Sequence, residues 1–227
     1  MIENSRHQLI SQPINVTSVA DFALKTIKTG PQLKDDDREA ILTGDQNCLD
    51  DINQQLELMS ATERVQWAME QLPNQQALAS SFGIQSAVML HMVNQIQPGI
   101  PVILIDTGYL FNETYQFIDQ LQTQLKLNIH SYRSLLSPAW QEARAGQLWL
   151  QGRQGIERYT HTNKVEPMNP ALRELKFHTW FAGLSRYQSS TRSALPVLPV
   201  PKARINFPPV IDWPTLAAQH SLVRHHL

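Results

Sequence analysis

The sequence predicts an α/β fold with a mostly parallel, doubly wound sheet and an N-terminal helical layer. From residue 76 onward, strand-like apolar runs alternate with segments of helical length, as expected for a parallel sheet flanked by helices. The run Pro101–Asp106 is continuous, apolar and rich in β-branched residues, which is typical of a central parallel strand. Ahead of this region, Ser60-Ala61-Thr62-Glu63 fits a capping box at the start of a helix.

The composition indicates a globular protein that can bury a full core. The chain has 227 residues, of which 42% are hydrophobic and 17% charged. A net charge of −1 argues against a broad nucleic-acid surface. No apolar run reaches membrane-spanning length, and the N-terminus lacks the pattern of a signal peptide. We therefore expect a cytoplasmic protein with no nucleic-acid or membrane partner.

Cys48 is the one cysteine in the sequence. One cysteine excludes a disulfide within the chain, and also a zinc site or iron–sulfur cluster held by four cysteines of one chain. Because no basic residue stands near Cys48 in sequence, we expect a small packed hydrophobe rather than a nucleophile. His220, His225 and His226 have no partners at metal-ligand spacing, so we expect no metal site.

The N-terminal third is predicted to be helical after a loose tail. Residues 1 to about 15 are polar and aperiodic, and residues 19–27 fit a short helix. The mixed charges of Lys34–Glu39 are typical of a solvated helix face. Residues 50–59 carry apolar side chains at helical spacing.

The remaining chain is predicted to alternate between strands and helices. Strands are predicted at 77–79, 101–106, 127–132 and 179–183, and helices at 84–96, 111–125, 138–149 and 168–176. Residues 151–163 have weak periodicity and are interpreted as a surface excursion, while the proline-rich stretch 196–209 permits only short edge strands.

The loop Ser80-Ser81-Phe82-Gly83 is the first candidate site. It lies between a buried strand and a helix, an arrangement that presents backbone N–H groups to an anion. Ser80, Ser81 and Ser86 add hydroxyl groups, and a glycine lets a phosphate approach closely. The alternative is an ordinary β–α turn, which often contains Ser and Gly. A second candidate loop, Asp106–Phe111, ends the next strand, and both fall at the carboxyl edge where such sheets bind ligands.

Four blocks of the sequence resemble the phosphoadenylyl-sulfate (PAPS) reductase family. They are Ser80-Ser81-Phe82-Gly83-Ile84-Gln85, Asp106-Thr107-Gly108-Tyr109-Leu110-Phe111-Asn112-Glu113-Thr114-Tyr115, Lys164-Val165-Glu166-Pro167-Met168-Asn169 and Trp180-Phe181-Ala182-Gly183-Leu184, followed by spaced arginines. The resemblance implies the adenine-nucleotide α-hydrolase-like fold of ATP pyrophosphatases, in which the serine loop is a modified pyrophosphatase loop. It divides the chain into an N-terminal extension (1–59), a nucleotide-binding domain (60–213) and a divergent tail (214–227).

The resemblance also implies an activity and a set of site residues. The family belongs to sulfate assimilation and cysteine biosynthesis, and it converts PAPS and reduced thioredoxin to sulfite and adenosine 3′,5′-bisphosphate. It implies thioredoxin as electron donor, no bound cofactor, no iron–sulfur cluster, and a homodimer. The residues it places on the substrate are Ser80, Ser81, Phe82, Gly83, Asp106, Thr107, Gly108, Lys164, Arg186 and Arg192. Tyr109, Leu110 and Phe111 would shape the nucleotide pocket.

The sequence departs from the family pattern at two places, and both bear on the implied activity. Ser185-Arg186 stands where the family commonly has two adjacent basic residues. More seriously, the family's nucleophile is a cysteine in a Glu-Cys-Gly-Leu-His motif, and this motif is absent after Trp213. A frameshifted or truncated gene model is one hypothesis for the tail. No catalytic residue is therefore assigned, and the 227 residues are expected to bind PAPS without reducing it.

Three functions remain open on the sequence alone. The first is a PAPS reductase whose sequence here is incomplete, and the second is a catalytically inactive nucleotide-binding relative. The third is an adenylyl or sulfur transferase of the ATP-pyrophosphatase type. The third is weakest because those enzymes usually carry a Ser-Gly-Gly-x-Asp-Ser loop, whereas Phe82 and Gln85 stand at the two informative positions here.

Overall fold

A computed structural model describes residues 30–73, 75–201 and 203–214. The predicted tail at 1–15, the predicted helix at 19–27 and the histidines after residue 214 lie outside the described residues. Within the described part of the chain, no helix is long and apolar enough to cross a membrane.

Among the described residues, three helices precede the sheet: α1 (Asp35–Thr43), α2 (Gln46–Glu57) and α3 (Ala61–Gln71). The predicted capping box is confirmed, because the Ser60 side chain accepts from the Glu63 N–H and the Glu63 carboxylate accepts from the Ser60 N–H. The charged run of α1 is largely exposed, as expected for a solvated face. The helical layer predicted from the sequence is therefore present.

Within residues 30–214, apart from positions 74 and 202, the sheet is parallel throughout and has five strands in the order β3-β2-β1-β4-β5. The strands are β1 (Gln76–Ser80), β2 (Pro101–Asp106), β3 (Asn128–Arg133), β4 (Thr179–Ala182) and β5 (Ile205–Phe207). The four predicted strands are confirmed within about a residue or two at each end. The described residues of the proline-rich stretch contribute the three-residue edge strand β5, in agreement with its composition.

In the part of the chain that the structure describes, five further α-helices connect and cover the strands. They are α4 (Ile84–Ile96), α5 (Asn112–Leu125), α6 (Pro138–Ala145), α7 (Gly152–Thr160) and α8 (Glu166–Glu174). The bounds of α4 match the prediction. Helix α6 ends earlier than predicted because Gly146 leaves the helical conformation at φ +67°, and a short 3₁₀ turn, Leu148–Leu150, follows.

Residues 151–163 lie mostly at the surface, as interpreted, but they are helical, which their weak periodicity did not indicate. This stretch forms α7 and then enters a π-helical turn, His161–Val165, that runs directly into α8. Its helical pattern is weak in sequence because α7 is mostly exposed, so polar residues occupy nearly all of its faces.

Helices pack on both faces of the sheet, so the predicted doubly wound architecture is confirmed. One face carries Leu78, Val102 and Phe181 into a large core shared with helices α2 to α5. The other face carries Ala77 and Ile103 against Ala171 of α8. Because residues from α2 and α3 belong to the first core, the N-terminal layer is continuous with the sheet domain.

A buried arginine joins this N-terminal layer to the end of the described chain. Arg64 on α3 is fully buried, and its guanidinium donates to both carboxylate oxygens of Asp212 at 2.9 and 3.0 Å. It also donates to the backbone carbonyls of Leu56 and Pro209. These bonds compensate the desolvation of a buried charge, and they fix the segment after β5 against α3.

Candidate functional site

The two predicted site loops lie side by side at the carboxyl edge of the sheet. In the parallel register, Ser80 of β1 stands beside Leu104 of β2, two residues before Asp106. On the other side, Ala79 of β1 stands beside Ala182 of β4, so the segment after β4 leaves from the same edge. This edge, at the central strands, is where doubly wound sheets bind ligands.

The serine loop is anchored on one side and open on the other. The Phe82 side chain is buried in the core at 2% exposure, and its backbone has φ +52°. The Ser80 Oγ accepts from the Phe82 N–H at 3.0 Å. Ser81 is exposed, with its Oγ 3.4 Å from the Ser86 Oγ. Phe82 therefore holds the loop in place, and the hydroxyls of Ser81 and Ser86 lie on its open side.

Helix α4 begins at this loop without a side-chain cap. Its N-cap is Gly83, which has no side chain to accept from the first-turn N–H groups. The Ser86 N–H donates to the Gly83 carbonyl at 2.8 Å, and the other N–H groups of the first turn, which have no acceptor four residues earlier in the helix, carry the positive end of its dipole. A Cβ placed on Gly83 would meet no atom closer than the Ser81 Oγ at 3.9 Å. The space next to the Gly83 backbone is therefore open.

The second loop is a turn built by its own side chains. The Asp106 Oδ1 accepts from the Gly108 N–H at 2.8 Å and from the Tyr115 hydroxyl at 2.7 Å. The Thr107 Oγ1 accepts from the Tyr109 N–H at 3.2 Å. Gly108 has φ +73°, and a Cβ there would lie 2.6 Å from the Pro138 Cγ, so no other residue fits this turn. These contacts fix the shape of the loop.

Tyr115 reaches from the first turn of α5 to the end of β2. Burial, and then its hydrogen bond to Asp106, raise the pKa of Tyr115 to about 12. The phenol is therefore a stable donor to the Asp106 carboxylate. Sequence reasoning missed this contact, although a tyrosine one helical turn into the helix after an Asp-ended strand is a signal that could have indicated it.

An aromatic cluster supports the same loop from the side of α7. The Tyr109 ring lies edge-on to Trp149 at 5.0 Å and to Tyr159 at 5.7 Å between centroids. The Tyr109 hydroxyl donates to the Pro138 carbonyl, and burial raises its pKa. By contrast, Phe111 is 80% exposed at the N-cap of α5. Of the three residues expected to shape a pocket, Tyr109 is held by this cluster and Leu110 packs against the main core, whereas Phe111 is exposed.

Lys164 is presented by the π-helical turn before α8. The turn packs against β2, and α8 runs from it along the second face of the sheet. A helix that leads into the next parallel strand begins at the carboxyl edge, so Lys164 lies at that edge. Its side chain is exposed, and among the described residues no carboxylate forms an ion pair with it.

The two arginines after β4 differ in their surroundings. Arg186 donates through Nη1 and Nη2 to the Glu57 carboxylate, and through Nε to the Leu195 carbonyl at 2.8 Å. The hydrogen bond to Glu57 raises the pKa of Arg186. Arg192 is half-buried and donates to the Gln188 side-chain oxygen. Arg192 therefore has a neutral partner, whereas Arg186 is already neutralised by α2.

Cys48 lies on α2, in the helical layer. Its thiol is half-buried against the core, and burial together with Asp37, Asp45 and Asp51 raises its pKa. A raised pKa disfavours the thiolate, which is the nucleophilic form. This environment agrees with the expectation of a packed, unreactive cysteine.

A separate basic groove lies at the opposite, amino edge of the sheet. Its volume is about 520 Å³, and it is lined in part by Arg173, Lys176, His178 and Arg204. Arg204 donates to the carbonyls of Phe177 and Leu172 near the end of α8, so part of this charge caps a helix. None of the predicted site residues lines this groove.

The fold and the carboxyl-edge loops define a doubly wound α/β protein with a candidate ligand site at the carboxyl edge of its parallel sheet. The family model for the phosphoadenosine phosphosulfate reductase domain matches residues 75–227. The phosphoadenosine 5′-phosphosulfate reductase of Salmonella choleraesuis is 60% identical over 179 residues, which cover 79% of this chain and 73% of that relative. The chain belongs to the PAPS reductase family, an oxidoreductase family of sulfate assimilation.

Two solved structures share the fold at lower identity. The PAPS reductase of Candida auris, in a phosphate complex, has a TM-score of 0.68 and 24% identity, covering 80% of this chain and 87% of that one. The FMN adenylyltransferase of Candida glabrata, with FAD and inorganic pyrophosphate, has a TM-score of 0.52 and 12% identity, covering 72% of this chain and 55% of that one. Family membership favours the reductase interpretation over the adenylyl or sulfur transferase alternative.

Proposed function

We propose that this chain binds PAPS at the carboxyl edge of its sheet, with the phosphosulfate at the Ser80–Gly83 loop. The observation that carries the proposal is the open loop at an uncapped helix start. The Ser81 hydroxyl, the exposed Gly83 backbone and the first turn of α4 all border the same space. Donors of this kind suit phosphate and sulfate oxygens.

The surrounding residues have complementary roles in this proposal. Lys164 and Arg192 supply positive charge for a ligand with several negative charges, and Arg186 would join them by exchanging Glu57 for a ligand oxygen. Asp106, Thr107 and Gly108 form the wall along the nucleotide, and their shape is set by the hydrogen bonds within that turn.

The reaction assigned to the family is the reduction of PAPS to sulfite with thioredoxin as the electron donor. That reaction requires a thiolate that attacks the sulfur and is afterwards resolved by thioredoxin. The 227 residues contain Cys48 alone, on α2 and with a raised pKa. We therefore propose that these residues bind PAPS but do not release sulfite. A homodimer and a cytoplasmic location complete the proposal, by analogy with the family.

Calorimetric titration of PAPS into the chain tests the binding site. Wild-type protein is expected to bind, and Gly83→Val is expected to weaken binding at least about tenfold because the branched side chain fills the space beside the loop. The backbone of Gly83, at φ −73° and ψ 164°, accommodates valine, so the fold should persist.

Ala203→Val is the matched control, because it adds bulk at an exposed position on the opposite edge of the sheet. Its affinity for PAPS should equal that of the wild type. Equal affinities for Gly83→Val and wild type would reject the assignment of the serine loop. Absence of any binding by the wild type would reject the proposed function.

A further inference from the structure

The helical run from residue 152 to 174 contains one irregular turn. The backbone stays in the helical region from Thr160 to Glu166, but residues 161–165 form a π-helical turn between α7 and α8. Isolated π turns are rare and occur often at functional sites. This turn carries Lys164, so its geometry decides where that charge is presented.

A buried pair of amides holds the turn from inside. Asn163 is 0% exposed, and its Nδ2 donates to the Gln141 Oε1 at 2.9 Å. In return, the Gln141 Nε2 donates to the Asn163 Oδ1, also at 2.9 Å, and to the Leu136 carbonyl. Two reciprocal bonds between planar amides fix both the distance and the rotation of the turn relative to α6.

A second contact on the outer side is consistent with the same geometry. The His161 Nδ1 lies 3.2 Å from the Glu166 Oε1, across the whole turn. Residues five apart diverge on an α-helix with 3.6 residues per turn, and the wider π turn brings them together. The turn is thus held by Asn163 on the buried side and spanned by this pair on the exposed side.

We propose that Gln141 and Asn163 are positioning residues that aim Lys164 at the PAPS oxyanions. This inference rests on the proposed function, because it assigns the pair an effect on substrate affinity that acts through Lys164. The pair itself is buried and does not contact the ligand. Its directional bonds, rather than its volume, hold the π turn in register with the carboxyl edge of β2.

A double-mutant cycle separates this role from a general contribution to stability. Gln141→Met with Asn163→Leu replaces both amides by apolar groups of similar size, which can be nearly neutral for stability. We expect PAPS affinity, measured by calorimetry, to fall at least about fivefold, with little change in melting temperature. In a Lys164→Ala background, the same two substitutions should cause no further loss, because residues that act through one another are not additive.

Asn94→Leu provides the control. Asn94 donates to the Leu125 carbonyl and accepts from Gly99, so its loss removes a comparable amide far from the carboxyl edge and should leave PAPS affinity unchanged. If the variant with both apolar substitutions fails to fold, Gln141→Glu replaces it, because this substitution keeps the side-chain length and one of the two reciprocal hydrogen bonds. We expect Gln141→Glu to weaken PAPS binding in the wild-type background and to cause no further loss in the Lys164→Ala background.

Each outcome of this cycle bears on the inference. A loss that vanishes in the Lys164→Ala background supports it. Unchanged affinity in the apolar pair, or losses that multiply in the combined variant, would overturn it while leaving PAPS binding by the wild type intact. A wild-type protein that binds no PAPS would instead remove the proposed function on which it rests.

Discussion

Individual side chains at the carboxyl edge divide into those that shape the site and those that border its open space. The side chains of Asp106 and Thr107 accept hydrogen bonds from backbone N–H groups of their own turn, and the Phe82 side chain is buried in the core. Ser81 and Gly83 are exposed. The sequence motifs contain all of these residues, and they do not distinguish the residues that shape the loops from those that border the open space. The folded structure makes this distinction.

Tyr115→Phe tests the hydrogen bond that closes the Asp106 turn. At pH 8 we expect a loss of about 1.5 kcal/mol in the free energy of unfolding, since the bond goes to a carboxylate. The folded pKa of about 12 lies above the ordinary value of 10.0. The wild-type advantage should therefore be complete below pH 10 and decrease as the pH rises from 10 towards 12.

Urea unfolding of both proteins at pH 8 and pH 11 measures this difference. Tyr187→Phe is the control, since Tyr187 is 67% exposed, and it should behave as the wild type at both values. A difference between wild type and Tyr115→Phe that does not change with pH would contradict the assigned bond.

At the scale of elements, the strands were more predictable than the connections after β3. Pro101–Asp106 and Ile84–Ile96 were recovered because each is a long apolar run in the sequence, and many of their described side chains are buried. Helix α7 was missed because it is mostly exposed, and the π turn has no simple sequence signature. The hydrogen bonds of Asn163 to Gln141 and of Arg186 to Glu57 could not be predicted from the sequence, because the partners lie 22 and 129 positions away in the chain.

The contact between α2 and the segment after β4 yields a prediction about affinity. Arg186 is paired with Glu57, so a ligand oxyanion must compete with that carboxylate. Glu57→Gln removes the competing charge, and we expect PAPS to bind several-fold more tightly at fixed ionic strength. Unchanged calorimetric affinity would show that Arg186 remains a structural partner of α2.

Arg192→Ala provides the comparison within the same segment. Because Arg192 has a neutral partner in Gln188, its full charge is available to the ligand, and its loss should weaken PAPS binding about tenfold or more. Wild-type affinity in Arg192→Ala would remove this residue from the proposed site.

Over the whole molecule, the N-terminal layer and the sheet form one core joined by Arg64. Asp212→Asn removes the carboxylate that accepts from both Nη atoms of the buried Arg64, while the Glu57 Oε2 stays 4.0 Å from the Arg64 Nη2. We expect a loss of about 3 kcal/mol in the free energy of unfolding. Glu157→Gln breaks the exposed pair with Arg153 and should change stability by less than about 0.5 kcal/mol. Denaturant unfolding of the two variants compares these values, and equal losses would contradict the joining role of Arg64.

Because Cys48 is the one cysteine of the 227 residues and its pKa is raised, we expect no reduction of PAPS to sulfite. Mixed with PAPS and reduced thioredoxin, the 227 residues should release no sulfite above the level of a Cys48→Ser control. If the wild type releases sulfite and Cys48→Ser does not, Cys48 on α2 is the nucleophile. That result would contradict the expectation, based on its raised pKa, that the Cys48 thiol is unreactive.

A crystal structure of the chain with PAPS or adenosine 3′,5′-bisphosphate would locate the bound ligand directly. We predict ligand density at the carboxyl edge, bordered by the Ser80–Gly83 loop, Lys164 and Arg192. Density in the basic groove of Arg173, Lys176 and Arg204 at the amino edge, with no ligand at the serine loop, would contradict PAPS binding at the carboxyl edge.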